Sequence, residues 1–445
     1  MHLNEIKKNK QDILIGSSRL YSKNFNQFDK TKYMIENMEY NLAFRHHISN
    51  KKIGELEKNK ILKNFKFKYK KYRNDWFNAL KIKNKSNPLS VDIEVAAICD
   101  LACPHCHREY LITPDKLINE ELYKKIVDEA AQMKVPSLKL IWRGEPLLHP
   151  QLKNLIKYAK NSGILEVIIN TNATTLNENK SKEILDSGLD LMIYSFDGGT
   201  KETYEKMRPG RFKKNKFDDF YINIKKFSEL KKNTNSKFPI TKIQMIMTED
   251  TRNEVNNFFE LFKGIVDDVT VTQYNERGGK IVDLKDDLSI KIKNYLKKNN
   301  LDLNTPYMVD LDSRVFISES RKSCEQIYQR LMVTYSGKVG MCCHDWGAKH
   351  ALGYLNKSAF EEENEMKKVK NKILKNKKGF ELLKDAKLPA KYNNPENKIK
   401  NLKEIWNGKE LDKVRNAHEN NKVNSINVCK GCTFKDTYNW KKIDI

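Results

Sequence analysis

The chain has 445 residues, of which 39% are hydrophobic, so it is long enough for two or three domains with cores of their own. No apolar run approaches the ~20 residues of a membrane helix, and the N-terminus lacks the apolar stretch of a signal peptide. The formal net charge is +25, but the basic residues are dispersed along the whole chain, which favours solvated helix faces over a polyanion-binding patch. We therefore expect a cytoplasmic protein that has no membrane partner and for which nucleic acid is not the favoured partner.

Residues 1–88 are predicted to form a helical, Lys-rich N-terminal extension. Within it, large apolar side chains recur at steps of three and four, which places them on one helical face: Leu62, Phe65, Tyr69, Tyr72, Trp76 and Leu80. Such a stripe is typical of a helix that docks on the next domain. The alternative is that these aromatic residues, interleaved with Lys, stack on nucleic-acid bases.

Residues 89–280 alternate between β-rich and amphipathic helical segments. The predicted strands are Val91–Ile98, Leu138–Trp142, Leu165–Asn170, Leu191–Phe196, Lys242–Thr248 and Val269–Gln273. The predicted helices between them are Glu120–Met133, Leu152–Ser162, Asn179–Ser187, Phe217–Lys231 and Glu254–Ile265. Gly163 and Gly188 stand where helix C-caps are expected. This alternation predicts an α/β fold with a parallel sheet, an open partial (βα)6 barrel whose chemistry lies at the C-terminal ends of its strands.

The remainder of the chain is predicted to contain a helical connector, residues 281–323, and a small cofactor-stapled domain, residues 324–445. The second of these regions holds the remaining cysteines and few strong strand patterns. Its middle, residues 356–403, is rich in Lys and Asn and is predicted to be a helical insertion or a loop.

Cys99, Cys103 and Cys106 form a C-x3-C-x2-C pattern directly after the first predicted barrel strand. In a reducing compartment, clustered cysteines are more often metal ligands than disulfides. Three thiolates on one short loop can bind three corners of a [4Fe–4S] cluster and leave the fourth iron open. The alternative is a zinc site whose fourth ligand is His105 or His107.

This pattern, after strand one of a partial barrel, resembles the signature of the radical S-adenosylmethionine (SAM) superfamily over about residues 89–275. His105 departs from that signature, because an aromatic residue usually precedes the last cysteine. The resemblance implies that Cys99, Cys103 and Cys106 hold the catalytic cluster and that its open iron chelates SAM. It also implies reductive cleavage of SAM to a 5′-deoxyadenosyl radical, which abstracts hydrogen from substrate, with an electron donor such as flavodoxin or ferredoxin.

Further motifs match stretches that line the SAM site in that superfamily. Arg143-Gly144-Glu145-Pro146 resembles the Gly-Gly-Glu-Pro motif, in which exposed backbone contacts the SAM amino group and glycine permits close approach. Arg143 replaces the first glycine. The other residues that the resemblance assigns to SAM binding are Asn170, Asn172, Ser195, Asp197 and Arg208. Taken alone, each of these polar residues could equally be a helix cap or turn residue.

A second set of cysteines follows the pattern C-x12-G-x4-C … C-x2-C, formed by Cys324, Gly337, Cys342, Cys429 and Cys432. This pattern resembles the C-terminal auxiliary-cluster domains called SPASM and twitch. With so few cysteines, the region is expected to hold one auxiliary [4Fe–4S] cluster that four thiolates close. Cys343 directly follows Cys342, so its side chain is expected to point elsewhere. The alternative is a zinc site with four cysteine ligands.

These observations favour a radical SAM oxidoreductase, a dehydrogenase acting on a small polar substrate, possibly a carbohydrate, or on a peptide. A radical SAM epimerase and a peptide-modifying maturase are the alternatives within the same superfamily. Tyr274, Glu276 and Arg277 follow the sixth strand and are candidates for substrate contacts at the barrel mouth. A zinc-stapled nucleic-acid-binding protein is the remote alternative. That protein would bind zinc and would not turn over SAM, and its affinity for nucleic acid would fall steeply with salt concentration.

Overall fold

Parallel strands that alternate with helices form the centre of the fold. The computed structural model describes residues 19–20, 29–44, 54–106, 108, 115–275, 287–346, 348–360 and 399–445. The strands are β1 (Arg19–Leu20), β2 (Ser90–Ile93), β3 (Ser137–Lys139), β4 (Glu166–Thr171), β5 (Leu191–Ser195), β6 (Ile240–Met247), β7 (Asp268–Gln273), β8 (Tyr307–Val309), β9 (Val315–Arg321), β10 (Arg330–Val333), β11 (Lys338–Gly340), β12 (Ala351–Tyr354) and β13 (Tyr438–Ile443).

The helices include a counterpart of each of the five predicted barrel helices, with bounds that agree to within a few residues, and others for which no bounds were predicted. They are α1 (Lys30–Phe44), α2 (Glu55–Phe77), α3 (Ala79–Ile82), α4 (Glu120–Gln132), α5 (Leu152–Asn161), α6 (Glu178–Ser187), α7 (Lys201–Met207), α8 (Phe217–Asn233), α9 (Glu249–Arg252), α10 (Val255–Phe262), α11 (Asp287–Lys298), α12 (Gln326–Gln329), α13 (Leu402–Trp406), α14 (Lys409–Glu419) and α15 (Asn427–Lys430). Gly188 is the left-handed C-cap of α6, with φ of 85°, as predicted.

The main sheet has ten strands in the order β1-β7-β6-β5-β4-β3-β2-β10-β11-β12. Strands β2 to β7 are each parallel to the next, which confirms the predicted α/β class and the open, partial barrel. The sheet continues beyond β2, because β10 pairs with it in parallel and β11 and β12 follow antiparallel. The part of the chain that carries the second cysteine set therefore shares one sheet with the barrel.

The prediction of a helical connector over 281–323 is wrong in its second half. After α11, the chain forms β8 and β9, which pair with the C-terminal β13 in a three-stranded sheet. A cluster of buried residues from α11 and from this sheet explains the pairing, because the short β-branched run Val315–Ile317 needs an apolar partner surface. The expectation of few strands after residue 324 is also corrected by β10, β11 and β12. Residues 361–398, most of the Lys- and Asn-rich stretch, lie outside the described residues, and the assignment of domains at 280 and 323 stays a prediction.

Helix α2 docks on the barrel, as its apolar stripe predicts. Phe65, Tyr69 and Tyr72 are buried, and they pack with residues at the beginnings of β5 and β6. The phenol groups of Tyr69 and Tyr72 donate hydrogen bonds of 2.8 and 3.2 Å to the carboxylate of Glu166, the first residue of β4. The chemistry of such a barrel is expected at the C-terminal ends of its strands, whereas α2 packs against their N-terminal ends. The buried aromatic residues of the stripe are therefore not available for base stacking.

Candidate active site and second cysteine set

The first cysteine loop follows β2 at the C-terminal edge of the parallel sheet. Cys103 is buried, whereas Cys99 and Cys106 are partly exposed. The backbone of the loop is held by the turn after α7: the Ala102 amide donates to the Pro209 carbonyl at 2.9 Å, and the Arg211 amide donates to the Asp100 carbonyl at 2.7 Å. Backbone hydrogen bonds to the turn after α7 therefore fix the loop that carries the three thiols.

The side chain of Asp100 connects the cysteine loop to the end of β4. Its carboxylate accepts hydrogen bonds from Asn172 Nδ2 at 2.7 Å and from the Thr174 hydroxyl at 2.5 Å. Asn172 Nδ2 also lies 3.9 Å from Cys99 Sγ. The predicted SAM-site residue Asn172 is thus in contact with the first cysteine of the loop.

Burial raises the pKa of the thiols in this loop. It raises the pKa of Cys99 well above the usual range, with a further increase from the Glu145 carboxylate and the neighbouring cysteines. Burial raises the pKa of Cys103 to about 12, although the Arg208 guanidinium opposes the shift and Cys106 adds to it. The three thiols therefore lie within electrostatic reach of one another, and a metal that binds them must displace their protons.

His105, Asp197 and Arg208 form a buried ionic group beside the cysteines. Asp197 Oδ2 lies 3.2 Å from His105 Nε2 and 2.6 Å from Arg208 Nη2, and its other oxygen accepts the Ile246 amide at 2.8 Å. Burial alone would raise the pKa of Asp197, but Arg208 and His105 hold it well below its usual range. The histidine that departs from the superfamily pattern is therefore the side chain that joins the cysteine loop to β5.

Polar groups at the strand ends fit a polar ligand above the loop. Asn170, near the end of β4, has a buried Oδ1 atom that accepts no hydrogen bond within the described residues. Trp142, just beyond β3, has a buried indole N–H in the same condition. Ser195 is partly buried at the end of β5. Buried polar atoms are rarely left without a partner, so these atoms are consistent with a ligand that completes their hydrogen bonds.

Gly144 and Glu145 make close contacts with other residues of the protein. A methyl group on Gly144 would collide with the carbonyl oxygens of Ala96 and Ile98, so glycine is needed here for packing against the chain after β2. The Glu145 carboxylate accepts hydrogen bonds from Thr171 Oγ1 at 2.7 Å and the Asn172 amide at 2.6 Å. Burial raises the pKa of Glu145 to about 8. Pro146 is buried at the start of a short 3-10 turn.

Arg143 has a role that the sequence did not indicate. Its Nε and Nη2 atoms each lie 2.6 Å from an oxygen of the Glu94 carboxylate, a bidentate ion pair, and its guanidinium lies over the Trp142 ring. Glu94 also accepts the amide of Tyr335 at 3.2 Å. The residue that replaces the first glycine of the superfamily motif therefore links the barrel to the strand pair β10–β11.

A tryptophan pair joins the two cysteine-bearing regions. The ring centres of Trp142 and Trp346 are 5.6 Å apart, and both side chains are buried with Met332 and Ala348. Cys106 packs against the same cluster. Trp346 lies four residues beyond Cys342. The contact between Trp142 and Trp346 could not be predicted from the sequence, because the two residues are about two hundred positions apart.

The second cysteine set is drawn from three separate segments. Cys324 follows β9, Cys342 follows β11, and Cys429 and Cys432 belong to α15 and the turn after it. Burial raises the pKa of Cys324 well above its usual range, and the nearby Cys432 and Cys429 raise it further. Burial likewise raises the pKa of Cys342, with contributions from Cys343, Cys324 and Cys432. Cys324 therefore lies within electrostatic range of Cys342, Cys429 and Cys432.

Three side chains that the sequence did not single out surround this set. Arg321 donates to the Cys429 carbonyl at 2.5 Å, and the Tyr438 hydroxyl donates to the Cys432 carbonyl at 2.6 Å. The imidazole of His418, on α14, lies between the amide of Cys324 and the thiol of Cys429. Burial lowers the pKa of His418 to about 4. A histidine eleven residues before a C-x2-C pair was the available signal.

Cys343 Sγ lies 3.7 Å from Oε1 of Gln326, two residues after Cys324, and the expectation that Cys343 is not a ligand stays a prediction. Tyr274 is partly buried just beyond β7, whereas Glu276, Arg277 and His107 lie outside the described residues.

Among the side chains that are described, no three His, Cys, Asp or Glu residues surround a point where a single metal ion would sit. No helix within the described ranges is both long enough and apolar enough to cross a bilayer.

Comparison with known proteins matches residues 93–262 to the Radical SAM superfamily. Residues 93–262 are a radical SAM domain. The matched segment begins on β2, contains the first cysteine loop and ends with α10. The resemblance inferred from Cys99, Cys103 and Cys106 is thereby confirmed for the domain that carries them. A radical SAM domain implies a [4Fe–4S] cluster and SAM.

Curated relatives of the radical SAM domain differ in what they do. The chain is 32% identical over 108 residues to the tungsten-containing aldehyde ferredoxin oxidoreductase cofactor-modifying protein of Pyrococcus furiosus, which is 24% of this chain and 30% of that protein. It is 32% identical over 122 residues to a probable GTP 3',8-cyclase of Methanothermobacter marburgensis, 27% of this chain and 39% of that protein. The chain thus spans about a third of the length of these relatives.

Among solved structures, Streptococcus suis SuiB bound to precursor peptide SuiA resembles this fold with a TM-score of 0.48 and 15% sequence identity. The alignment covers 95% of this chain and 94% of SuiB.

The residues of the radical SAM domain suit the two implied groups. Cys99, Cys103 and Cys106 supply three thiolates on one loop, one fewer than a closed cluster needs, which leaves an iron for SAM. Asn172 Nδ2 lies 3.9 Å from Cys99 Sγ, and Asn170, near the end of β4, has a buried Oδ1 that accepts no hydrogen bond within the described residues.

Proposed function

We propose that this chain is a radical SAM oxidoreductase that oxidises a small polar substrate by two electrons, through abstraction of one hydrogen atom and then loss of one electron and one proton. When bound, the cluster on Cys99, Cys103 and Cys106 supplies the electron that splits SAM into methionine and a hydrogen-abstracting 5′-deoxyadenosyl radical. A second [4Fe–4S] cluster on Cys324, Cys342, Cys429 and Cys432 would accept the substrate's second electron. The alternatives of epimerisation and peptide maturation use the same first step.

The observation that carries this proposal is that Cys324 lies within electrostatic range of Cys342, Cys429 and Cys432, in a region whose strand β10 pairs with β2 of the barrel. Four thiolates close a cubic cluster, so no iron remains for substrate, and electron transfer is then the natural role of the cluster. The Trp142–Trp346 pair supports the same assignment, because it packs Cys106 of the first loop against the chain that follows Cys342.

The residues of the chain itself would orient SAM and substrate. Asn170, Asn172 and Ser195 stand at the strand ends above the cysteine loop and would bind the polar groups of SAM. Asp197 and Arg208 hold His105, and with it the loop, in place through a buried ion pair. Glu145 orders the ends of β3 and β4 through its hydrogen bonds to Thr171 and Asn172.

Exposed cations beside the first cysteine loop support a carrier such as flavodoxin or ferredoxin as electron donor. Arg211, Lys213 and Lys214 are exposed on the turn whose backbone pairs with Asp100 and Ala102. An acidic carrier would be attracted to this turn. Raising the ionic strength should therefore slow reduction by the carrier more than reduction by dithionite.

The test uses Cys429→Ala/Cys432→Ala beside the unchanged chain, both reconstituted without oxygen. The unchanged chain should hold about eight irons, as two four-iron clusters require. The variant should retain about half of that iron and still cleave SAM with dithionite, yet it should form no oxidised product from the substrate. Normal yield of oxidised product from the variant would sink the acceptor role. A product of unchanged oxidation state from the unchanged chain would assign it to the epimerases or mutases.

A further inference from the structure

His418 is a buried imidazole with two partners, both at the second cysteine set. Its Nδ1 accepts a hydrogen bond from the backbone amide of Cys324 at 3.1 Å. Its Nε2 lies 3.5 Å from Cys429 Sγ. The side chain is only 1% exposed, so no water competes for either nitrogen.

The amide of Cys324 decides which nitrogen carries the proton. A backbone N–H can only donate, so Nδ1 must be the unprotonated nitrogen and the ring proton must be on Nε2. The Nε2–H group is then a donor, and Cys429 Sγ is the acceptor within reach. A thiolate accepts a hydrogen bond better than a thiol does, so this contact suits a ligated, deprotonated Cys429.

We infer that His418 donates a hydrogen bond from Nε2 to the thiolate of Cys429 and thereby makes the auxiliary cluster an easier electron acceptor. This inference rests on the proposed second cluster. One-electron reduction adds negative charge that is shared by the cluster and its sulfur ligands, and a donor aimed at one of those sulfurs stabilises the reduced form more than the oxidised form. His418 would thus be a positioning and tuning residue that acts through Cys429 and touches neither SAM nor substrate.

The surroundings of Cys429 leave this donor without a substitute among the described contacts. Arg321 donates to the carbonyl oxygen of Cys429 and not to its sulfur. The imidazole also joins the backbone of Cys324 to the thiol of Cys429, and it thereby ties together two proposed ligands that are far apart in sequence.

The experiment is a redox titration of the reconstituted protein, followed by electron paramagnetic resonance, for three variants. His418→Phe keeps a ring and removes the donor, and His418→Gln restores an N–H group at the reach of Nε2. His149→Gln is the matched control, because His149 is also buried and its Nδ1 also accepts a backbone amide, that of Gln151.

For His418→Phe we expect the equilibrium constant for reducing the auxiliary cluster to fall about tenfold, which is a shift of about 59 mV for one electron. His418→Gln should recover most of this shift, while His149→Gln and the SAM-binding cluster should show none. An unchanged potential of an intact auxiliary cluster in His418→Phe would overturn the inference.

A second measurement needs no variant to fold. When histidine alone carries ¹⁵N, the reduced auxiliary cluster of the unchanged chain should show a weak nitrogen coupling, of the size transmitted through an N–H···S hydrogen bond. No coupling, or the strong coupling of a directly bound nitrogen, would overturn the inference. If instead the unchanged chain holds only about four irons, the second cluster itself is absent and the proposed function fails before the role of His418 is reached.

Discussion

The two cysteine sets of this chain are assembled in different ways. Cys99, Cys103 and Cys106 lie on one loop after β2, so the chain brings them together before any helix or sheet has packed. The second set draws its members from residues 324 to 432, and it exists only when β9, β11 and the segment after α14 have met. A site built from one loop can tolerate the loss of a support, whereas a site built by the fold depends on every contact that holds its segments.

The same contrast separates the number of thiolates from their role. Three thiolates on a short loop would leave one corner of a cluster open. Four thiolates from separate segments would close the proposed second cluster, and Arg321, Tyr438 and His418 make hydrogen bonds to the backbone of the segments that carry them. Openness suits the binding of SAM, and closure suits electron transfer.

The largest effect is expected at the first set. Replacing Cys99, Cys103 and Cys106 with Ala should abolish SAM cleavage, because no cluster with an open iron remains. Iron content should fall from about eight to about four per chain, with the second cluster retained. Anaerobic iron analysis and chromatography of 5′-deoxyadenosine measure both quantities. Cleavage that survives the triple change would show that the catalytic cluster lies elsewhere.

The proposed auxiliary cluster should be weakened by a substitution at a residue that is not one of its ligands. Arg321→Met removes the guanidinium that holds the Cys429 carbonyl and covers the Tyr438 ring at 5.2 Å, while it keeps an apolar stem. A charged hydrogen bond contributes about 1.5–3 kcal/mol, so the local site should assemble roughly ten- to hundredfold less well. We expect lower iron in the auxiliary cluster alone, measured by spin quantification.

The matched control for Arg321→Met is Arg314→Met. Arg314 pairs with Asp310 at 2.6 Å in the turn between β8 and β9, and no contact joins it to a cysteine in the described residues. The iron content of Arg314→Met should equal that of the unchanged chain. Equal loss from both clusters in Arg321→Met would contradict the separation of the two sites.

A smaller effect is expected when the first loop loses one support. Asp100→Ala removes the hydrogen bonds from Asn172 and Thr174, but the three cysteines remain on the same loop. SAM cleavage should slow several-fold while the iron content is kept, because the ligand spacing does not depend on this contact. Asp186→Ala, which removes only surface ion pairs with Lys153 and Lys157, should leave both quantities unchanged. Complete loss of the first cluster in Asp100→Ala would contradict a locally specified site.

The smallest effect is expected at Glu166, which is far from both sites in the sheet. Burial opposes its ionisation, but Lys30, at 2.7 Å, and Arg73 hold the pKa of Glu166 below its usual range. A carboxyl whose pKa is lower in the folded state stabilises the fold above its unfolded pKa, about 4.3, and loses that contribution as the pH falls further. Glu166→Gln should therefore cost about 1–3 kcal/mol at pH 7 and at pH 5, and less at pH 4.

Urea unfolding of both proteins at these three pH values measures that cost. Because Glu166→Gln weakens the whole fold without touching a cysteine, any iron it loses should come from the auxiliary cluster first. A penalty that grows as the pH falls from 5 to 4 would contradict the lowered pKa of Glu166.

Much of the barrel could be predicted because its signals are local. The strand and helix patterns between 89 and 275 have a clear period, and the six predicted strands and five predicted helices all appear, although β2 ends at Ile93 and not at Ile98. The docking face of α2 was equally clear, since its stripe has the spacing of a buried helical face. The strands β8 and β9 were missed because short strands gain their stability from their partners, and β9 pairs with β13, which lies more than a hundred residues away.

The sequence by itself determined the two cysteine patterns and the βα alternation, and these suffice for the radical SAM domain. It predicted the thiols of the first set from their spacing on one short loop, and those of the second set from a resemblance to the SPASM and twitch pattern. Only the tertiary structure decided that β10 extends the barrel sheet, that Arg143 pairs with Glu94, and that His418 lies between Cys324 and Cys429. Such contacts join residues with no local relation, and their partners are chosen by packing in three dimensions and by the need to satisfy buried polar groups.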